Sequence, residues 1–295
     1  MQIQYALDER PPIWKSILFG LQWAAIAVPS VITVGRAIDS FHGVESPSTP
    51  GYLQRLLLVT AITLVGQVLV GHRLPVIAGP ATVLLIGVLS SGDSSSSAVN
   101  TSIIIGGLLL TLLAVSGLLR HLRKLFTDNV VAVVLLLIAF TLAPTVLRLV
   151  LAAQSGAEPL ANLTFALFLI LAMFVAHRFL TGIWKSTVIV WSMLVGTLAY
   201  FLIFPTHLPH ADLAENGVLS GVMSGVTLAP QVQIGVLLSF LVCYVALSIN
   251  DLGSIQSMNR LLEVKDMDKR VSRGITVTGL ANVLSGVLGV VGPVN

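Results

Sequence analysis

Long apolar runs separated by short polar connections fill almost the whole chain. A helix that crosses a bilayer needs about 17 to 25 apolar residues. Runs of that kind predict spans near residues 16–36, 52–70, 74–91, 101–119, 130–150, 162–177, 184–204, 232–250 and 274–291. Two of them break the apolar pattern at membrane depth, and those breaks are where chemistry is expected.

The first break lies in the third run, His72-Arg73-Leu74-Pro75-Val76-Ile77-Ala78-Gly79-Pro80-Ala81-Thr82. Pro80 removes a backbone donor and crowds the preceding turn, and Gly79 permits unusual dihedrals. Two structures fit this pattern. In one, an extended lead-in precedes a half-helix, and its free backbone groups must be buried in protein or line a cavity. In the other, the prolines only kink a continuous helix.

The second break is the stretch from Phe240 to Met258, which places Asn250, Asp251, Gly253 and Ser254 side by side after an apolar start. A carboxylate at the bilayer centre costs about 3 kcal/mol on insertion scales, so it faces a polar cavity and marks a substrate or ion path. The alternative is that the helix ends near Leu247 and the polar residues form its cap. The last run is rich in small residues and ends in Gly292-Pro293-Val294-Asn295. Leu74-Pro75-Val76 and Gly292-Pro293-Val294 form a short echo, as expected if inverted repeats place broken helices opposite each other.

Charge fixes the orientation. Arg10, Lys15, Arg73, Arg120, Arg123, Lys124, Arg178, Lys185, Arg260, Lys265, Lys269, Arg270 and Arg273 fall in or beside every second connection. The opposite connections lack Lys and Arg, and Arg36, Arg55 and Arg148 are expected to snorkel from helix ends. By the positive-inside rule the N-terminus is cytoplasmic. This placement explains the formal net charge of +3 without nucleic acid as a partner. With 55% hydrophobic and 10% charged residues, against about a quarter charged in soluble domains, the composition describes a polytopic membrane protein.

The remaining features read as structure. Trp14, Trp184 and Tyr52 are placed as interfacial anchors. Gly106, Gly107, Gly182 and Gly196 are placed as close-packing positions. Asp128 and Asn129 resemble an N-cap, His121 and His177 read as solvated, and the lone Cys243 reads as small packing in a helix. The Asn100-Thr101-Ser102 sequon abuts the membrane and carries little weight. The N-terminal residues do not read as a secretory signal. Metal-spaced His/Cys/carboxylate sets, nucleophile elbows and phosphate loops are absent, so the sequence does not read as an enzyme and implies no cofactor or metal.

Several stretches together resemble the nucleobase/ascorbate transporter family, also called the nucleobase:cation symporter-2 family, which includes bacterial uracil and xanthine permeases. They are Tyr5-Ala6-Leu7-Asp8-Glu9-Arg10-Pro11-Pro12, Gly20-Leu21-Gln22-Trp23, Leu74-Pro75 to Thr82, Ser248 to Ser254, and Arg273-Gly274 to Asn295. The resemblance implies an all-α polytopic membrane protein: the first seven-span repeat of a 7+7 inverted-repeat transporter plus the start of the second repeat, with a short strand in span 3. Residues 1–228 would be the first repeat, spans 1–4 in a core and 5–7 in a gate. Residues 229–295 would be spans 8–9 and the beginning of span 10, also in the core. The chain would then stop before the family's tenth-span signature.

The implied activity is secondary transport of a nucleobase such as xanthine, uracil or urate, coupled to protons or another cation. The alternative is a non-transporting fragment or assembly partner of such a permease. Asn250 stands at the usual acidic position and would hydrogen-bond the base. Ala81 and Thr82 would offer backbone groups, Gln22 would orient the eighth span, and Gly253 completes the eighth-span motif. Asp251 is the titratable candidate for coupling, although one residue along a helix turns it about 100° away. Trp23 replaces a family histidine. Implied partners are the base, the bilayer of the inner cell membrane and, as is usual in the family, a second copy in a homodimer.

Overall fold

The computed structural model describes residues 9, 11–42, 49–92, 94–118, 128–151, 158–204, 229–262, 264 and 266–295. Helices dominate them: α1 (Ile13–His42), α2 (Thr49–Leu69), α3 (Thr82–Ser90), α4 (Ser96–Val115), α5 (Asp128–Leu151), α6 (Pro159–Phe179), the single-turn α7 (Gly182–Ser186), α8 (Val188–Ile203), α9 (Ile234–Leu262) and α10 (Met267–Val287). Two-residue strands β1 (Gly79–Pro80) and β2 (Pro293–Val294) complete the order. Among the described residues five helices are long and apolar enough to cross a membrane, those within α1, α2, α4, α6 and α9.

Each expected span has a helical counterpart, but three differ in shape. The third is not a kinked helix: residues 70–81 are non-helical and only α3 follows them. The eighth does not end at 250, because α9 continues through Asn250 to Leu262. The polar cluster is therefore mid-helix, not a cap. The seventh is divided at Thr187 into α7 and α8.

The chain packs as two compact units, Met1–Pro29 with Leu142–Asp212, and Ser30–Thr141 with Leu213–Asn295. In the first, α6 and α8 meet where Gly196 faces the Leu169 side chain. The Tyr200 hydroxyl donates to Asn162 Oδ1 at 2.8 Å, and Phe165 meets the Tyr200 ring edge-on at 5.2 Å. Leu167, Phe168, Leu171 and Phe174 are exposed, as expected of a helix whose solvent is lipid.

The second unit is built on close backbone approach. A Cβ on Gly107 would stand 2.8 Å from the Gly279 carbonyl, and one on Gly286 would stand 2.8 Å from the Asn100 carbonyl. Because the obstacles are backbone atoms, only glycine lets α4 and α10 pack this tightly, the way small residues drive association between apolar helices. On the other side Gly87 of α3 admits Phe240 and Cys243 of α9, and Gly106 of α4 lies against the Tyr244 ring.

Other single-residue expectations need correction. A Cβ on Gly182 would meet nothing within 4 Å and its φ is +61°, so it serves the turn before α7 rather than close packing. Tyr52 is half-buried, with its hydroxyl accepting from the Val291 N–H at 3.1 Å, and is no interfacial anchor. Arg55 is buried rather than snorkelling. Trp14 and Trp184 are exposed as anchors should be, and Trp184 stacks on Trp191 at 4.9 Å. His121 and the residues before α5 lie outside the described residues.

Candidate functional site

The two breaks meet. β1 and β2 pair antiparallel, with Gly79 opposite Val294 and Pro80 opposite Pro293. The segment facing Pro293-Val294 is thus Gly79-Pro80, not the Leu74-Pro75-Val76 echo noted in the sequence. Proline donates nothing to a ladder, so the pairing depends on its flank: the Ala81 N–H donates to the Gly292 carbonyl at 2.8 Å. Asn282 of α10 supports the second strand, donating from Nδ2 to the Pro293 carbonyl at 2.9 Å and to the Thr278 carbonyl at 2.8 Å.

Directly after β1 the backbone turns into α3 with Ala81 as N-cap. The Ala81 carbonyl accepts from the N–H groups of Leu84 and Leu85, so both of its backbone groups are engaged inside the protein. Of the two positions expected to offer backbone groups, Ala81 already gives its N–H to Gly292. Among the described residues the N–H groups of Thr82 and Val83 have no acceptor. They are the open donors of a helix N-terminus, where the aligned peptides carry partial positive charge.

The eighth-span helix separates its two polar residues by burial. Asp251 is fully buried, and its Oδ1 accepts from the Asn295 N–H at 2.7 Å and from Asn295 Nδ2 at 2.8 Å. Since Asn295 directly follows β2, this bond sets α9 at the level of the strand pair and of the α3 N-terminus. Asn250 is half-buried, and its side-chain amide has no partner among the described residues. Gly253 and Ser254, also half-buried, share the open face of α9 with it, while Leu247, Ser248, Asp251, Leu252 and Ile255 form the buried side. The helix is regular throughout, so the turn of about 100° between neighbours is kept. Gln22 is half-buried in the part of α1 that belongs to the other unit.

Behind the strands lies a polar network that the sequence reading passed over. Gln67 Nε2 donates to the Gly274 carbonyl at 2.9 Å and to Thr278 Oγ1 at 3.1 Å. Asn295 Nδ2 also donates to Thr278 Oγ1, at 3.0 Å. His72 completes it: the Leu74 N–H donates to Nδ1 at 2.9 Å, which leaves Nε2 as the protonated nitrogen facing Asn295 Oδ1 at 3.3 Å. Tyr244 closes the far side, its hydroxyl 2.9 Å from both the Ile103 carbonyl and Asn282 Oδ1. Gln67, His72, Asn282 and Asn295 are all buried. The signal for Gln67 and Asn282 was present, since an amide inside an apolar run demands a partner. What hid it was that the partners are 200 or more residues away for Gln67.

Comparison with known proteins agrees with this architecture. A family model described as "Permease family" matches residues 14–295. The protein named "Putative purine permease CPE0397" of Clostridium perfringens is 25% identical over 296 residues, covering 97% of this chain and 64% of that protein. "Putative purine permease YwdJ" of Bacillus subtilis is 28% identical over 167 residues, covering 53% of this chain and 38% of that protein. The chain therefore spans less than two thirds of the length of either relative. Apolar spanning helices, a pair of broken spans joined through strands and a match over nearly the whole chain lead to one conclusion: this multi-pass membrane protein belongs to the permease family.

Proposed function

We propose that the chain is part of a secondary transporter for a neutral nucleobase, with the base held between the N-terminus of α3 and the open face of α9. The observation that carries this reading is an Asn250 amide and Thr82 and Val83 N–H groups without partners among the described residues, on segments that the Asp251–Asn295 bond and the β1–β2 pair join. A heterocyclic amide edge presents alternating donors and acceptors, and a carboxamide can answer both. Ala81 serves by positioning the turn rather than by touching the base, and Gly253 keeps the α9 face clear of a side chain.

Asp251 remains the titratable group nearest the site and the candidate for proton coupling, acting through Asn295 and β2 rather than on the base. The similarity to proteins named purine permeases favours a purine such as xanthine or urate over uracil. In this reading spans 1–4 and 8–10 form a core that holds the strands, and spans 5–7 form a gate. Gln22 would act from the first span, and the N-terminus would face the cytoplasm of a cell-membrane protein that pairs with a second copy.

Uptake of radiolabelled xanthine, urate and uracil into vesicles containing the full-length protein tests this. Saturable uptake of at least one base, lost in Asn250→Ala with protein levels unchanged, is expected. Absence of saturable uptake of any of the three from correctly inserted protein would overturn the reading. Imposing a pH gradient across the same vesicles then reads the coupling.

A further inference from the structure

Within the second unit, a half-open cavity of about 170 Å³ lies at the far end of α3 from the candidate site. Val88, Val99 and Ile103 give it apolar walls, and Tyr52, Ser91, Ser96 and Asn100 line it with hydroxyl and amide groups. Gly289 and Val291, which lead into β2, form part of the lining. Val88, its lining residue on α3, lies five positions beyond Val83 and six beyond Thr82, about 8–9 Å at the helical rise. It is therefore a different place from the open face of α9.

The lining decides what could bind. Among the described residues its lining side chains are uncharged, so none of them offsets the desolvation of a phosphate, a carboxylate or an amine. Apolar walls with a few directional hydroxyl and amide groups suit a flat neutral molecule that hydrogen-bonds at its edges. The volume is below the usual range of roughly 300–1,000 Å³ for drug-sized ligands, which limits the occupant to one or two small rings. Ser91, Gly92, Ser94 and Ser96 of its lining belong to a connection that lacks Lys and Arg in the sequence and is predicted to be on the outer side.

We propose that this cavity is a second binding site for a neutral nucleobase, an outer site that is filled separately from the one at Asn250. The proposal rests on the transporter reading above. It also gives the site a route to the first: Val291 forms part of its lining, is held by the Tyr52 hydroxyl at 3.1 Å, and lies two residues before β2. An occupant that moves Tyr52 acts on the strand pair.

Equilibrium binding of radiolabelled xanthine and of radiolabelled uracil to the purified full-length protein in nanodiscs tests it. Two bases per chain are expected in the unchanged protein. Asn250→Ala should retain one, and Val99→Phe, which fills the cavity, should retain the other; each retained site shows that the variant is folded. A single site abolished by Asn250→Ala and untouched by Val99→Phe would overturn the outer site alone, whereas no binding of either base would overturn it together with the transporter reading. As a second measurement, Ser96→Cys in a Cys243→Ser, Asn250→Ala background should react with a maleimide more slowly when the same base is present. Unchanged labelling at saturating base would also overturn the proposal.

Discussion

Oδ1 of Asp251 accepts both the backbone N–H of Asn295, at 2.7 Å, and its side-chain Nδ2, at 2.8 Å. One carboxylate oxygen thereby fastens the middle of α9 to the residue that follows β2. Through Thr278 and His72 the same asparagine is tied to α10 and to the turn before β1. The other carboxylate oxygen, Oδ2, is buried and has no hydrogen-bond partner among the described residues. Asp251 holds the broken spans together, and Asn250 is left to face outward.

This division predicts opposite phenotypes for adjacent polar positions. Asn295→Ala strands one donor of His72 and half of the Asp251 contact, at about 1–3 kcal/mol for each buried group left unpaired, and should lower the thermal midpoint of the full-length protein by several degrees. Asn250→Ala removes no internal bond and should stay within about 0.5 kcal/mol. Equal losses of stability in the two variants would contradict the assignment of roles.

Affinity should follow the donor capacity of residue 250. Asn250→Asp keeps the shape but loses the N–H groups, so a base acceptor meets a carboxylate oxygen. The expected cost of about 1–3 kcal/mol corresponds to a rise in Kd of roughly 5- to 150-fold. Competition binding with xanthine measures it, and an unchanged Kd would remove Asn250 from the contact.

His72 should make stability depend on pH from the acidic side. Its Nδ1 accepts the Leu74 N–H, so the folded protein holds the ring neutral. Protonation would turn Nδ1 from acceptor to donor, facing the Leu74 N–H, and break that bond. A group that the fold holds neutral contributes stability that is complete above its unfolded pKa and lost as pH falls below it. The thermal midpoint should therefore drop as pH is lowered below about 6.5, and His72→Asn, which can still accept from Leu74, should flatten that drop. A midpoint independent of pH from 8 to 5 in the unchanged protein would refute this.

The helix seam gives a steric test. A Cβ at Gly279 would stand 2.8 Å from the Thr111 nitrogen and 2.9 Å from the Gly107 carbonyl, both backbone atoms, while one at Gly20 meets nothing within 4 Å. Gly279→Ala should destabilise by about 1–3 kcal/mol. Gly20→Ala should be neutral or gain up to about 1 kcal/mol of helix propensity. Thermal midpoints of the two variants in one detergent make the comparison.

Much of the architecture could be read along the chain because a bilayer imposes one-dimensional rules. Length and hydropathy locate the spans, and Pro75, Gly79 and Pro80 mark the third as broken, since no continuous helix accommodates them without cost. The resemblance to permeases singled out Asn250 over Asp251. What sequence could not supply is which polar groups pair. Gln67, His72, Asn282 and Asn295 lie in separate spans, and whether each is satisfied inside the protein or open to a ligand depends on partners brought together only by folding. The burial of Asp251, the engagement of the Ala81 backbone and the pairing of the two Gly-Pro turns are decided there. The physical reason is that hydropathy is a property of each residue in its run, whereas hydrogen-bond satisfaction is a property of pairs across the fold.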